Sequence, residues 1–166
     1  MRGVARLGLL ALSLLAAVEG GCGGGAASNP DGANSGDFIT ADVGGVSIRA
    51  AFEPAAGTTG VEAGVIWVVA GRTSMLDGWN VYIPNSVGTS ACPPSWLALF
   101  EPDSPVVCSD GPGATCSVIV TAAAPALGDV VEGTFTATLS PFGTDPSTAR
   151  TTVVTNGAFH VTRNFE

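Results

Sequence analysis

The chain has 166 residues with 14 acidic and 6 basic side chains, so its formal net charge at pH 7 is −8. This length accommodates one domain together with a targeting segment. The acidic balance argues against a nucleic-acid partner, because binding to phosphates needs clustered Lys and Arg. A hydrophobic content of 46% with only 12% charged residues argues against a disordered chain.

Residues 1–21 have the features of a signal peptide. Arg2 and Arg6 form a positively charged start, and residues 4–18 are mostly apolar. An apolar stretch of about 15 residues is shorter than the roughly 20 that a membrane-spanning helix needs. The sequence therefore predicts that residues 1–21 are removed on export. Export to an oxidising environment would permit disulfides.

Cys22 follows Gly20 and Gly21, and small residues before a cysteine resemble the lipobox of bacterial lipoproteins. In that family the cysteine becomes the lipidated first residue of the mature chain, so the resemblance implies a membrane anchor of diacylglycerol and acyl chains at Cys22. Glu19 departs from the pattern, because an aliphatic residue is usual there. Cleavage by an ordinary signal peptidase is the alternative, and it would leave Cys22 unmodified. The absence of an acidic residue at Gly23 favours the outer membrane over the inner one.

Residues 22–37 are predicted to form the lipid-attachment cysteine and a flexible tether. The segment from Gly23 onward contains no large apolar residue, so it cannot bury enough surface to fold. It would span roughly 20 Å, enough to hold a domain just off a membrane surface. Asp31, Asn34 and Asp37 lack the ligand spacing of a calcium loop. We therefore expect a solvated linker without a metal.

Residues 38–166 are predicted to form a single all-β domain. Short apolar runs with a period of two, separated by Gly, Pro and Asn clusters, indicate about eight or nine strands. The clearest hairpin turns at Gly44-Gly45, and a second hairpin signal is Asn156-Gly157 near the end of the chain. Runs 65–69 and 96–100 are apolar on both faces and predict central strands, and run 131–139 predicts the longest strand. This spacing favours an antiparallel β-sandwich, with a β-barrel as the alternative.

Three cysteines follow Cys22, and at most one intramolecular disulfide can form among them. Cys92 and Cys116 both lie at strand boundaries, which favours their pairing slightly. Cys108 and Cys116 are the alternative pair, because they lie eight residues apart across a short loop. The spacing does not match a zinc site, which usually includes a close Cys pair. We expect a structural disulfide, no metal and no cofactor.

The sequence contains no pattern that indicates catalysis. His160 has the opposite strand phase to Phe159 and Val161, so its side chain is expected to face away from the core. Candidate acids for glycoside hydrolysis need a buried carboxyl group with a raised pKa. Glu53, Glu101 and Glu132 are expected at solvated positions instead.

Aromatic side chains are the best candidates for ligand binding, because they could form a platform for sugar rings or apolar ligands. Trp67 and Trp96 nevertheless lie in runs that are apolar on both faces, and Trp79 is in phase with Val81 and Ile83, so all three are expected in the core. Tyr82 is out of phase with its apolar neighbours and is expected to be exposed.

Several pieces of the chain resemble small exported lipoproteins of bacteria that carry an all-β domain. The matching pieces are the segments 41–46, 116–121, 131–139 and 155–161. The resemblance implies a lipid-anchored β domain. That family has no established activity, so the resemblance assigns no functional residue.

These observations predict a non-enzymatic β domain anchored in the cell envelope, acting as a binding or structural module with a protein or glycan partner. One alternative is a binding domain for a small apolar ligand or a glycan, using an exposed aromatic strip or the mouth of a barrel. A second alternative is a hydrolase whose site is assembled from loops around His160 or a buried Glu.

Overall fold

The computed structural model describes residues 36–58, 64–73, 77–101, 106–142 and 150–166. These residues form an all-β fold without a helix, which confirms the predicted fold class. The predicted signal peptide, Cys22 and nearly all of the predicted tether lie outside the described residues. The eleven strands are β1 (Phe38–Val43), β2 (Val46–Ala50), β3 (Phe52–Gly57), β4 (Val65–Gly71), β5 (Gly78–Pro84), β6 (Gly88–Ala91), β7 (Trp96–Phe100), β8 (Val107–Cys108), β9 (Thr115–Ala122), β10 (Val130–Pro141) and β11 (Thr152–Phe165).

The strands form one mixed sheet in the order β2-β1-β11-β3-β4-β5-β7-β8-β10-β9-β6, and β10 also pairs with β11. Hydrogen-bonded neighbours therefore run in a closed circuit from β11 through β3, β4, β5, β7 and β8 to β10, and back to β11. All these pairings are antiparallel except that between β11 and β3. Strands β2, β1, β9 and β6 extend the sheet beyond this circuit.

The sheet folds into two layers around one core. Trp79 of β5 contacts Phe135 of β10 with ring centroids 5.3 Å apart, although these strands are not neighbours in the sheet. The long strands β10 and β11 connect the layers, because one part of each strand pairs within the layer of β1 and β9 and its end pairs with β8 or β3. The fold thus combines the two layers of the predicted sandwich with the continuous pairing of the barrel alternative.

The alternation in β10 shows how the sequence produces these layers. Val131, Phe135 and Leu139 are buried, whereas Glu132 and Thr134 are exposed. This period of two follows from the pleat of the strand, which directs successive side chains to opposite faces. One cluster of buried apolar side chains from both layers forms the core.

The hairpin predicted at Gly44-Gly45 is confirmed. It joins β1 to β2, and the two glycines have φ values of 57° and 88°. Positive φ at both central residues matches the right-handed twist of the strands that the turn connects.

The second predicted hairpin, at Asn156-Gly157, is wrong. These residues lie inside β11, which is one strand of 14 residues and longer than β10 with its 12. Asn156 adopts a φ of 52°, and the pairing of β11 with both of its neighbours shifts register around it, as in a β-bulge. A turn and a bulge share the need for positive φ, so the Asn-Gly pair alone did not distinguish them.

Eleven strands form where about eight or nine were expected. The sequence does not predict the short strands β6 and β8. β6 consists of four polar or small residues and β8 of only two residues, so neither shows the alternation of apolar and polar side chains that is typical of a strand. The alternation of apolar Val46, Ile48, Ala50 and Phe52 in the sequence predicts one strand, but the structure divides it between β2 and β3.

The folded part also includes Asp37, which the sequence placed in the tether. Its side chain is 6% exposed and accepts hydrogen bonds from the backbone N–H and the hydroxyl of Thr162, at 3.0 and 3.1 Å. Asp37 therefore attaches the start of β1 to the last strand. No helix in the described part of the chain is long and apolar enough to cross a membrane.

Candidate functional site

Three aromatic side chains lie side by side on the outer surface of the layer formed by β4, β5 and β7. Strand register places Trp67 opposite Tyr82, and Tyr82 opposite Trp96. Their strand neighbours Val68, Val81 and Leu97 point into the core. The pleat therefore directs Trp67, Tyr82 and Trp96 away from the core, and we call these three residues the aromatic row.

The members of the aromatic row contact one another and remain partly exposed. The ring centroids of Trp67 and Tyr82 are 5.9 Å apart, and those of Tyr82 and Trp96 are 5.7 Å apart. Trp67 and Tyr82 are close to parallel, with 21° between their planes, whereas Trp96 lies at 74° to Tyr82. Aromatic pairs at such distances attract each other beyond the effect of burial alone. The row is therefore held in place before any ligand arrives.

Neighbouring side chains complete the surface around the row. Phe165 packs edge-on against Trp67, with 5.9 Å between ring centroids. Val65, Tyr82, Pro94 and Trp96 line a shallow depression of about 410 Å³, and none of these described lining side chains is charged. An open, uncharged surface of aromatic rings suits a ligand with a flat apolar face.

Sequence reasoning placed all three Trp residues in the core, and the structure corrects this for two of them. Trp79 is fully buried, as predicted. Trp67 and Trp96 face outward, and Tyr82 joins them at the same register. The runs around Trp67 and Trp96 are apolar on both faces, so periodicity could not show which face carries the core. The cross-strand register supplied that information.

Cys92 and Cys116 lie at disulfide distance, with 5.2 Å between their Cα atoms and 24 residues between them in the sequence. The pair lies where the turn after β6 meets β9, the strand with which β6 is hydrogen-bonded. Pro94, which lines the aromatic depression, belongs to this same turn.

The alternative partner, Cys108, is buried as a free thiol. Burial raises the pKa of the Cys108 thiol to about 11, so it stays protonated and unreactive at neutral pH.

His160 points out of the core, as its phase predicted, whereas Phe159 and Val161 are buried. Its Nδ1 lies 3.5 Å from a carboxylate oxygen of Glu132, and its ring stacks on Phe38 with 6.1 Å between centroids. Both partners lie on the outer surface of the layer formed by β1, β10 and β11. This layer lies on the far side of the core from the aromatic row.

The three glutamates considered as acids lie at different places in the fold. Glu132 and Glu53 are exposed, and Glu101 is 39% exposed by its side chain and 3.6 Å from Arg72. None of them lies beside the aromatic row. No cluster of His, Cys, Asp and Glu in the described part of the chain could hold a metal ion.

Two buried polar atoms near the aromatic row have no hydrogen-bond partner among the described residues. They are Nε1 of Trp67 and Oδ1 of Asn80. Asn80 precedes Tyr82 by two residues on β5, so both side chains leave the strand on the same face. The sequence does not indicate that either atom lacks a hydrogen-bond partner, because this depends on which groups the folded chain packs beside it.

Comparison of the chain with models of protein families, with curated proteins and with solved structures found no match.

Proposed function

We propose that this chain is an exported, non-catalytic binding domain whose recognition surface is the aromatic row. One observation carries the proposal: Trp67, Tyr82 and Trp96 occupy one cross-strand register on the outer face of the sheet and remain partly exposed. Large aromatic side chains are normally buried, and exposed apolar patches often mark binding sites. The ligand would be a small molecule that presents a flat apolar ring, either an apolar compound or a sugar.

The arrangement of the ionisable groups supports binding rather than catalysis. General acid–base catalysis requires titratable groups within hydrogen-bond reach of the reacting atoms. The described residues that line the depression are Val65, Tyr82, Pro94 and Trp96, none of which is an acid or a base that could transfer a proton at neutral pH. His160 and Glu132 pair with each other on the opposite layer. The aromatic row would therefore hold a ligand without transforming it.

The N-terminal sequence supports a location in the cell envelope. The predicted signal peptide, a lipid anchor at Cys22 and a tether would hold the domain near a membrane, with the outer membrane favoured. The paired Cys92 and Cys116 fit an oxidising compartment. Intact mass spectrometry of the protein purified from its own membranes tests this part. A chain that begins at Cys22 and carries diacylglycerol and acyl chains is expected, and a mass without lipid would contradict the anchor.

Ligand binding is tested with two probes, toluene as a flat apolar ring and the neutral hexasaccharide of β1,4-linked N-acetylglucosamine. Binding is measured by saturation-transfer NMR and by tryptophan fluorescence. We expect the wild-type chain to bind at least one probe, and Trp96→Ala to weaken that binding about tenfold or more, because it removes one ring of the row.

Phe142→Ala is the matched control for this experiment. Phe142 is an aromatic residue that is 70% exposed and does not belong to the aromatic row or line its depression. Its loss should leave the affinity unchanged. If neither probe binds, or if both variants weaken binding equally, the aromatic row is not the recognition surface.

A further inference from the structure

The hydroxyl group of Tyr82 lies at the centre of the aromatic row. Trp67 and Trp96 flank Tyr82 on the neighbouring strands. The hydroxyl makes no hydrogen bond to any other part of the chain that the structure describes. It is not among the buried polar atoms that lack a partner, so it is accessible to solvent. A phenol both donates and accepts a hydrogen bond, so the apolar row carries a free polar group at its middle.

Two further polar atoms on this face are buried and have no hydrogen-bond partner in the part of the chain that the structure describes. Nε1 of Trp67 is a donor, and Oδ1 of Asn80 is an acceptor. An unsatisfied buried polar group is unfavourable, and most proteins avoid it. Here two such groups accompany a free hydroxyl at one surface. Both buried atoms are enclosed by the protein, so it is the Tyr82 hydroxyl that a ligand at the row can reach.

We propose that the ligand of the aromatic row is a neutral saccharide, and that the Tyr82 hydroxyl exchanges a hydrogen bond with a hydroxyl of its pyranose ring. This inference rests on the proposed function, because it names the ligand class of the same surface. A pyranose ring combines an apolar C–H face with hydroxyl groups at its rim. The aromatic rings match the apolar face, and Tyr82 matches the rim.

The negative net charge of the chain favours a neutral saccharide over an acidic one. The chain carries a formal net charge of −8, and none of the lining side chains within the described residues is basic. An acidic polysaccharide would therefore meet repulsion without a compensating cation. A lipid chain is disfavoured for a different reason, since it offers no hydrogen-bond partner to the Tyr82 hydroxyl.

Tyr82→Phe tests the inference, because it removes the hydroxyl and keeps the ring. The full chain is titrated with the neutral hexasaccharides of β1,4-linked glucose and of β1,4-linked N-acetylglucosamine, and separately with toluene. We expect Tyr82→Phe to weaken the binding of a hexasaccharide about fivefold to tenfold, the effect of one lost hydrogen bond. Toluene binding should change less than twofold. Trp96→Ala, which removes a ring, should weaken both.

The outcomes separate this inference from the proposed function. If Tyr82→Phe leaves hexasaccharide binding unchanged while Trp96→Ala weakens it, the role of the hydroxyl is overturned and the binding surface stands. If toluene binds and neither hexasaccharide does, the saccharide inference is again overturned and the surface stands. If no probe binds, both fail. A thermal melt of each variant confirms that the changes in affinity do not arise from unfolding.

Discussion

Gly157 of β11 lies directly against Phe135 of β10. A Cβ atom at position 157 would lie 2.5 Å from the Phe135 carbonyl oxygen and 2.6 Å from its ring. Real Cβ atoms do not approach other atoms so closely. The Phe135 ring also contacts Trp79 and Phe159, so it cannot move aside without disturbing the core. The glycine therefore allows the aromatic core of the domain to form under the bulge at Asn156.

Gly157→Ala should lower the free energy of unfolding by about 1–3 kcal/mol, as overpacking of a dense core does. Urea unfolding followed by tryptophan fluorescence measures the change. Gly36→Ala is the matched control, because a Cβ at position 36 meets nothing within 4 Å. A loss of stability in the control equal to that at position 157 would show that the contact with Phe135 is not the cause.

The link between Cys92 and Cys116 should stabilise the domain. It closes a segment of 24 residues, and replacement of both cysteines by Ser should lower the free energy of unfolding by about 2–4 kcal/mol. Urea unfolding with and without a thiol reductant measures this. Reductant should destabilise the Cys108→Ala variant, which keeps the pair, and should not affect the double Ser variant. If reductant has no effect on Cys108→Ala, the two cysteines are not bonded.

Cys108 should resist alkylation in the folded protein. Burial raises the pKa of its thiol from 9.0 to about 11, so at pH 8 it holds about a hundredfold less thiolate than an exposed cysteine. Mass spectrometry after iodoacetamide treatment should find Cys108 unlabelled in buffer and labelled in urea. Rapid labelling in buffer would contradict the buried position.

The same pKa shift has a consequence for stability at alkaline pH. Because the folded pKa is the higher one, the contribution of the protonated thiol is fully present below pH 9.0 and is lost as the pH rises toward about 11. The Cys108→Ala variant should lose less stability than the wild type across this interval. Equal losses would exclude the thiol as the cause.

Asp77 should make the domain sensitive to acid. Burial alone would raise the pKa of Asp77, but hydrogen bonds from Arg72 and Thr73 and the positive charge of Arg72 outweigh it and leave the pKa below 3.8. Arg72 Nε donates to Asp77 at 2.7 Å, and the Thr73 hydroxyl donates at 2.8 Å. Because the folded pKa is the lower one, this contribution is present above pH 3.8 and is lost as the pH falls through the folded value.

Asp77→Asn should therefore lower stability at pH 7 and reduce the difference between the variant and the wild type below pH 3.8. Unfolding curves at a series of pH values measure both effects. Glu53→Gln is the control, because Glu53 is exposed and neutralising it should leave the curves nearly unchanged. A constant difference between Asp77→Asn and the wild type at all pH values would exclude the ionised carboxylate as the source.

The fold class could be predicted because strand periodicity is local. Val131, Phe135 and Leu139 alternate with polar residues, and the pleat alone converts this alternation into a buried and an exposed face. The turn at Gly44-Gly45 could be predicted for a similar reason, since both glycines supply positive φ within the turn itself. Asn156-Gly157 carries the same local signal, but the partner strands on both sides continue past it and make it a bulge.

The candidate site could be predicted only in part. Sequence reasoning selected Trp67, Trp79, Trp96 and Tyr82 as the residues able to form a platform, and three of these four form the aromatic row. The sequence does not separate Trp67 and Trp96 from the buried Trp79, because the strands of Trp67 and Trp96 have two apolar faces and therefore no distinguishable inside. The unpaired atoms of Trp67 and Asn80 had no signal in the sequence, since each depends on what other strands place nearby.

The sequence by itself determined the all-β class, the first hairpin and the outward position of His160. Each of these follows from steric rules that act within one strand or turn. Only the tertiary structure decided that β10 and β11 connect two layers, that Cys92 meets Cys116, and that Tyr82 stands between Trp67 and Trp96. These features depend on strand register between segments that are distant in the chain. Register is set by how all the apolar faces pack together at once.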